Sequence, residues 1–461
     1  MFSISTSIII SLFGVSLIHC FNATAATINS ASCASTAVQN AINLAANGDT
    51  ISVPTGSCAW TDSVTISGKA LTLQGAGIDQ TNITANGFGG VALQAHVSAT
   101  RFVTVTGFTF VRGSEGDDGM IQFSGISTEI GFRFHHNKVT YISVSRGVAV
   151  YNGYGLIDHN SFVFSGSRGS VQSVSIWGDD DGDDGGFTSW KRPLTLGTNN
   201  AVYIEDNTFT YSSQDEDSID AYSGARLVIR HNNFNSISIG FHGTDTGSRR
   251  GVHSFEIYSN TFTNTAGKSI RVANLRGGTG VIYNNTFTGS AGWDDITLQN
   301  YRSSYEEPSS FGKCDGTRYM LLSLDLSDEG SRTACTSGSG CNVKFCSNAR
   351  DTLCTSDAHC SGGTCSTYLD GSGPSGYPCR DQVGVTTNQV SSPLYVWNNG
   401  SVSAISSVGG TSTPEPTIML NRDFFVDTAK PGYVAYTYPH PLTEVNPAPS
   451  PAPPRNLRVV P

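Results

Sequence analysis

A six-residue pattern of apolar and polar positions recurs along the middle of the chain. An aliphatic or aromatic residue is followed by two variable residues, Asn, one further residue and an apolar residue, usually Phe. The copies are FHHNKV, IDHNSF, IEDNTF, IRHNNF, IYSNTF and IYNNTF, with Asn at positions 137, 160, 207, 232, 260 and 285. The spacings are 23, 47, 25, 28 and 25 residues, and we interpret the interval of 47 as two copies. A period of about 24 residues indicates a stack of similar structural units.

This period is typical of a right-handed parallel β-helix. Three short strands and three turns use about 20 to 25 residues per coil, and coils stack at the parallel-strand spacing of about 4.8 Å. No coil buries its apolar face alone, so the repeated Phe and aliphatic residues are expected to point inward and pack on their equivalents. The repeated Asn is expected at a turn, where its amide can bond its own backbone and the Asn above and below. We therefore predict an all-β solenoid. A leucine-rich repeat does not fit, because the LxxLxL pattern is absent.

The segments outside the repeat predict a cap, an insert and a tail. Residues 34–47 carry apolar residues at helical spacing, and we expect a short amphipathic helix that covers the open N-terminal end of the solenoid. We assign 26–300 to the capped β-helix, 301–385 to a cysteine-rich insert, 386–443 to further coils and 444–461 to a Pro-rich tail.

The cysteines point to disulfides. Eight of the 11 Cys fall between Cys314 and Cys379, and the runs 335–346 and 354–365 share the spacing C-x5-C-x4-C. Zinc is the alternative interpretation, but the C-x2-C pairs typical of zinc sites are missing from these runs. Dense cysteines in an exported chain favour disulfides, and Cys33 and Cys58 flank the cap and could staple it. The predicted disulfide cysteines are Cys33, Cys58, Cys314, Cys335, Cys341, Cys346, Cys354, Cys360, Cys365 and Cys379.

The N-terminus predicts export. Residues 7–18 form an apolar run that is short for a bilayer span, and Ala23-Thr24-Ala25 offers a small-x-small cleavage site after it. We assign residues 1–25 to a signal peptide, predict a secreted protein and expect no transmembrane segment. The net charge of -10 and the pI near 5.4 argue against a nucleic-acid partner, since phosphate binding needs a basic surface.

Several segments resemble the pectin-lyase-like superfamily of right-handed parallel β-helices. These are GDTISVP (48–54), LTLQGAG (71–77), the Asn repeat and IDHN (157–160), within about residues 30–300. The resemblance implies a secreted polysaccharide lyase, a glycoside hydrolase or a relative. LIDH (156–159) is similar to the WIDH segment of pectate lyases, which implies calcium held by nearby carboxylates and an Arg base on a neighbouring coil. FHG (241–243) is the one match to the hydrolase series, so the lyase interpretation is favoured.

One outward-facing row of side chains follows from the repeat. Side chains alternate along a strand, so the residue after the buried aliphatic position must point outward. Carboxylates, an Arg and aromatic rings in one row suit a polysaccharide, because Arg pairs with carboxylates and rings stack on sugars. A solvated face with an ordinary ion pair is the alternative. The row is predicted to contain His135, Asp158, Trp177, Glu205, Arg230, Tyr258 and Tyr283.

The segments 214–232 and 241–258 hold the densest titratable residues. Clustered carboxylates raise one another's pKa, and His or Arg beside them could abstract the proton α to a uronate carboxyl group. The alternative is that these charged residues lie in loops between strands and have no catalytic role. The candidate catalytic residues are Asp217, Asp220, Arg230, His242 and Glu256. The candidate substrate-binding residues are Asp158, Trp177, Glu205, Arg249, Arg250, Tyr258, Arg276 and Tyr283.

A calcium site is a further hypothesis. Asp179, Asp181 and Asp183 alternate within the acidic, Gly-rich segment 177–190 in the manner of calcium loops. The EF-hand pattern is not met, because Asp184 stands where that loop needs Gly. A solvated acidic loop is the alternative.

The leading functional hypothesis is a secreted lyase that cleaves a uronate-containing polysaccharide by β-elimination, with Ca²⁺ as its candidate cofactor. The alternatives are a non-catalytic carbohydrate-binding adhesin or structural β-helix, and a glycoside hydrolase. We expect a monomer whose partner is an extracellular polysaccharide.

Overall fold

A computed structural model describes residues 25–444, except 114–118, 127, 142–144, 165–170, 179–185, 245–249, 266, 268, 291, 301–318, 322–331, 335–343, 367–377 and 409–413. The chain winds into a parallel β-helix whose strands stack in three columns. The predicted all-β solenoid is therefore confirmed.

The first column is a 12-stranded sheet in which neighbouring strands run parallel. It contains the aliphatic residue of the repeat, which faces inward, and the variable residue after it, which faces outward. Its strands are Thr27–Asn29, Thr50–Val53, Leu71–Gly75, Val103–Thr106, Ile130–His135, Tyr154–Asp158, Val202–Glu205, Arg226–Arg230, Ser254–Tyr258, Thr279–Tyr283, Leu394–Trp397 and Phe424–Val426.

The second and third columns merge into one 17-stranded sheet, because two long strands, Thr208–Tyr222 and Asn233–Phe241, run through both. The other strands of the second column are Gly56–Trp60, Thr81–Ala85, Thr109–Arg112, Lys138–Tyr141, Ser161–Phe164, Thr261–Asn264 and Thr286–Gly289. The other strands of the third column are Val64–Ile66, Leu93–His96, Ile121–Ser124, Ser145–Tyr151, Val171–Trp177, Ala273–Leu275, Ile296–Leu298 and Ala404–Ser406.

The repeated Asn residues form a hydrogen-bonded ladder at the turn between the first and second columns. Each backbone N–H donates to the side-chain oxygen of the Asn one coil further on, at 2.9 to 3.1 Å from Asn137 to Asn285, and Asn399 extends the ladder. The residue before each Asn has a positive φ, which Asn, Asp and His tolerate better than most residues. These residues are His136, His159, Asp206, His231, Ser259, Asn284 and Asn398.

The interpretation of the 47-residue interval as two coils is wrong. The Asn160 N–H donates to Asn207 Oδ1 at 2.9 Å, and Tyr154–Asp158 pairs directly with Val202–Glu205. One coil therefore spans the interval. The additional residues follow Val171–Trp177 and include the α-helix Phe187–Lys191.

Stacked side chains fill the interior. The Phe residues of the repeat are buried or nearly so, and their ring centroids lie 4.7 to 5.0 Å apart from Phe162 through Phe209, Phe234 and Phe262 to Phe287. At the N-terminal end, the α-helix Ser35–Leu44 buries Val38, Ala41 and Ile42. A disulfide joins Cys33 and Cys58 beside this helix, as predicted.

The described part of the insert is held by disulfides. Cys346 pairs with Cys360 and Cys354 pairs with Cys365 around the strands Lys344–Cys346, Ala349–Cys354 and Cys365–Ser366. Cys379 is also disulfide-bonded. Cys314, Cys335 and Cys341 lie outside the described residues. The remaining elements are the strand pairs Ile270–Arg271 with Trp293–Asp294, Tyr319–Leu321 with Arg332–Ala334 and Val385–Thr386 with Val390–Ser391, and the 3₁₀ turns Phe88–Gly90, Asp357–His359, Thr387–Gln389 and Pro441–Thr443.

None of the helices among the described residues has the length and apolar character needed to cross a bilayer.

The Asn ladder provides a stability test of the fold. Asn260 is buried; its Oδ1 accepts the Asn232 N–H at 3.0 Å and its Nδ2 donates to the Ile229 carbonyl at 2.9 Å. We expect Asn260→Ala to lower the free energy of unfolding by about 2–4 kcal/mol, because it leaves buried polar groups unpaired. The measurement is a denaturant titration followed by circular dichroism. The exposed neighbour Asn233 is the control position, where Ala should change little; equal effects at both positions would contradict the ladder's role.

Candidate functional site

The outward row predicted for the first column is present, with one error. His135, Asp158, Glu205, Arg230, Tyr258 and Tyr283 lie opposite one another on consecutive strands. Trp177 is not in this row. It lies in the third column, paired with Tyr151 and Tyr222, because the coil to which it was assigned does not exist.

The C-terminal strap, residues 430–443, covers this outward row. Its backbone carbonyls at Tyr436 and Thr437 each accept a hydrogen bond from Arg230 at 2.8 Å. Its His440 N–H donates to Glu205 Oε1 at 2.8 Å. Its Leu442 carbonyl accepts from Arg133 Nη1 at 3.0 Å. The row is therefore an interface within the chain and not the open groove that the sequence predicts.

The two charged pairs under the strap are buried. Arg230 Nη2 lies 2.6 Å from Glu205 Oε2, with both side chains fully buried, and Arg133 lies 2.7 Å from Asp158. Arg230 also donates to the Tyr258 hydroxyl at 2.9 Å. All of these groups are satisfied by protein partners, which argues against the substrate-binding roles predicted for Asp158 and Glu205 and the catalytic role predicted for Arg230.

Glu256 is likewise enclosed. It accepts hydrogen bonds from the Gly197 N–H at 2.8 Å and from the Tyr433 hydroxyl of the strap. Burial raises the pKa of its carboxyl group. Gly197 has φ +72°, and a Cβ there would lie 2.0 Å from the Val434 carbonyl oxygen, so the approach of the strap requires glycine. The structure thus separates Glu256 from any open surface.

The aromatic rings of the row stack on one another. The centroids of Tyr258 and Tyr283 are 4.8 Å apart, and those of Tyr283 and Trp397 are 4.4 Å apart. Because neighbouring rings occupy these faces, the sugar-stacking role predicted for Tyr258 and Tyr283 is not supported.

The predicted arginines on the following coils are also paired within the protein where they are described. Arg250 is buried and pairs through two hydrogen bonds, 2.7 and 2.6 Å, with Asp381 of the segment that follows the insert. Arg276 is mostly buried, and its Nε donates to the Phe241 carbonyl at 3.1 Å. Arg249, Asp179, Asp181 and Asp183 lie outside the described residues, and the side chain of Asp217 is not described.

The strap predicts a pH-dependent stability. Burial, together with the nearby Arg230, lowers the pKa of His440 from 6.5 to about 4. Between these values the unfolded chain binds a proton that the folded chain does not, so His440 makes the fold less stable as pH falls from 6.5 towards 4. We expect His440→Phe to reduce this loss. The measurement is the denaturant midpoint of both proteins at neutral and acidic pH, and an unchanged pH dependence would contradict the assignment to His440.

A polar cluster with aromatic neighbours lies on the outward face of the third column. Tyr151, Trp177 and Tyr222 lie in register on consecutive coils, with ring centroids 4.7 and 5.1 Å apart. The His242 ring continues this stack 4.1 Å beyond Tyr222. Side chains alternate along each of these strands, so Val148, Val174 and Ile219, on the same strands as the three rings, point inward and are buried in the core.

Asp220 is the centre of this cluster. Its Oδ2 accepts hydrogen bonds from Gln172 Nε2 at 2.6 Å and from the Tyr222 hydroxyl, and His242 Nε2 lies 3.2 Å away. Its Oδ1 accepts the Ala221 N–H at 2.8 Å. Burial, with the Asp220 carboxylate beside it, raises the pKa of Tyr222, so Tyr222 is a neutral phenol.

Arg146 extends the cluster by one coil. Its Nε donates to Gln172 Oε1 at 2.7 Å, and its guanidinium carbon lies 5.0 Å from the centre of the Trp177 ring. Arg146 is partly exposed and the His242 side chain is 17% exposed, whereas Asp220 is fully buried. Arg146 and His242 are therefore partly open to solvent, and Asp220 contacts the surface only through its neighbours.

Two of the five predicted catalytic residues, Asp220 and His242, come together at this site. The sequence interpretation missed Arg146, Gln172 and Tyr222. A signal for the third column exists in the tetrapeptides VAVY, VSIW, IDAY and IGFH, which end at 151, 177, 222 and 242. Their spacings of 26, 45 and 20 residues are too irregular for a search by period.

Within the described part of the chain, the potential ligands close enough to share a metal ion are Cys346, Cys354 and Cys360. These sulfurs belong to disulfides. The zinc alternative is therefore not supported at these cysteines.

Solved structures of other proteins align with this chain at low sequence identity and low TM-score. No protein-family model matches the chain, and no curated protein matches its sequence. An alginate lyase from Paenibacillus sp. str. FPU-7 aligns at 14% identity and TM-score 0.28, over 58% of this chain and 97% of that chain. ORF18 of Geobacillus virus E2 aligns at 15% identity and TM-score 0.24, over 59% of each chain. The catalytic domain of a GH87 α-1,3-glucanase in complex with nigerose aligns at 9% identity and TM-score 0.25, over 88% of this chain and 68% of that chain. None shares enough sequence to carry a residue's role across.

Proposed function

We propose that this protein is a secreted polysaccharide-active enzyme, a lyase that cleaves a uronate-containing polymer on the outward face of the third column. The observation that carries the proposal is the His242 imidazole, held by the buried Asp220 and accessible from outside, on the same hydrogen-bonded network as Arg146. An imidazole paired with a carboxylate is suited to proton transfer near neutral pH.

The elimination needs a base and then an acid, and His242 can act as both in turn. Arg146, three coils away, would bind the carboxylate of another uronate of the same polymer and so position the chain. His242 takes the α-proton, the electron pair forms the C4–C5 double bond, and the C4–O bond breaks. The imidazolium then returns the proton to the departing glycosidic oxygen, so protons and electrons balance.

The arrangement favours a polymer over a small substrate. Arg146, Gln172, Asp220 and His242 lie on or directly after strands of four consecutive coils, so the cluster spans three coil spacings, or about 14 Å along the helix axis. A chain of sugars lying along this axis would contact both Arg146 and His242.

The disulfides favour an oxidising compartment, in agreement with the predicted signal peptide. Cys33–Cys58, Cys346–Cys360 and Cys354–Cys365 are formed. Such bonds persist outside the cytosol.

The test is incubation of the purified protein with polyuronates and with neutral glycans, with and without a chelator. Ultraviolet absorbance of the unsaturated product is expected with a polyuronate. Loss of the signal in chelator would support the calcium hypothesis. New reducing ends without unsaturation would replace the proposal with hydrolysis, and binding without cleavage would replace it with an adhesin.

A further inference from the structure

The hydrogen bonds around Asp220 determine where each proton of the cluster resides. Arg146 Nε can only donate, so the Gln172 atom 2.7 Å from it must be the amide oxygen. The Ser175 hydroxyl donates to the same oxygen at 2.8 Å. The Gln172 NH₂ group must then face Asp220 Oδ2 at 2.6 Å and the Tyr222 hydroxyl oxygen at 2.8 Å. The amide orientation follows from donor and acceptor chemistry alone.

This orientation propagates to the neighbouring residues. Because Tyr222 accepts a hydrogen bond from Gln172, its own proton is free to point at Asp220 Oδ2, where the structure has a hydrogen bond. Asp220 therefore accepts from Gln172, Tyr222 and the Ala221 N–H. Both oxygens of Asp220 are thus occupied as acceptors, and the carboxylate has no proton to donate. His242 Nε2, which lies 3.2 Å from Oδ2, must therefore be the donor in that contact.

We infer that Gln172 is a positioning residue that sets this proton arrangement, so that His242 carries a proton on Nε2 towards Asp220. Its consequence for catalysis rests on the proposed function, in which the other ring nitrogen takes the α-proton of the substrate. The arrangement itself does not depend on any substrate.

The primary test is nitrogen NMR of the histidine side chains in the wild-type protein at neutral pH, with His242 assigned by its loss in His242→Ala. The expected result is a protonated Nε2. A neutral ring with its proton on Nδ1 alone would overturn the inference without the need for any variant.

The second test is Gln172→Glu, which keeps the length and the acceptor for Arg146 but removes both donors to Asp220 and Tyr222. We expect His242 to become doubly protonated at a pH where the wild-type ring is neutral, because a second carboxylate beside Asp220 favours the cation. The matched control is Gln94→Glu, on the same face of the third column beside Gln122 and away from Asp220. A His242 signal that responds equally in both variants, or in neither, would overturn the inference.

The kinetic readout separates this inference from the proposed function. If the protein is a lyase, Gln172→Glu is expected to lower kcat about tenfold to hundredfold with KM little changed. If no polymer is cleaved but the NMR results are as expected, the proposed function fails and the proton arrangement stands.

Discussion

Replacing His242 with Ala is expected to lower the kcat for polyuronate cleavage at least about a hundredfold, because general acid–base catalysis by one positioned side chain contributes this much or more. The imidazole is a partly exposed titratable group of the third-column cluster, and Asp220 beside it is fully buried. The measurement is the initial rate of formation of unsaturated product at saturating polymer. Circular dichroism of the variant should match the wild-type protein, since the ring lies at the outer surface of the solenoid.

The chain offers a matched control in His96. It is exposed and lies in the same outward row, because Ser124 pairs with His96 on one side and with Tyr151 on the other. His96→Ala removes the same chemical group from the same face, at a position beyond the polar cluster. We expect its kcat to be close to that of the wild-type protein. Equal losses in the two variants would count against a catalytic role for His242.

Replacing Arg230 with Ala is expected to lower the free energy of unfolding by about 3–5 kcal/mol, because it leaves Glu205 as an uncompensated buried charge. It also removes the donor for the Tyr436 and Thr437 carbonyls and so detaches the strap at its centre. The measurement is the denaturant midpoint and slope.

The control for Arg230 is the exposed ion pair between Lys138 and Asp79, 2.9 Å apart. Lys138→Ala should change the free energy of unfolding by no more than about 1 kcal/mol, because water already solvates both groups. The activity of Arg230→Ala per folded molecule should remain close to the wild-type value. A stable but inactive Arg230→Ala protein would restore the catalytic role that the sequence suggested.

The two variants together distinguish the two outward faces of the solenoid. The first-column face carries more charge and more aromatic rings, and by composition alone it is the better candidate for a polysaccharide groove. Burial reverses that ranking. The strap pairs with the charged groups of the first-column face, and the rings of that face stack on one another. The third-column face keeps Arg146 and His242 partly exposed on either side of a buried carboxylate, Asp220.

Asp220 shows the limit of what the sequence repeat predicts about the position of a side chain. The density of acidic residues in 214–220 singled out this segment, but the repeat could not say which face each carboxylate would occupy. Thr208–Tyr222 runs through two columns, and its pairing shifts register near Asp215. Beyond such a shift, counting from the last repeated Asn no longer predicts a side chain's neighbour.

The amino-acid sequence by itself determined the solenoid, the Asn ladder, the N-terminal helix with its disulfide and, outside the 47-residue interval, the register of the first column. These depend on contacts between one coil and the next, and a regular repeat converts each of them into a fixed offset along the chain. Only the tertiary structure decided which face is open. The strap reaches Arg230 from 206 residues further along the chain, and no periodic pattern records that contact. The residues that it covers look, in sequence, like any row of outward-facing polar groups; whether such a row meets water or protein depends on segments far away in the chain.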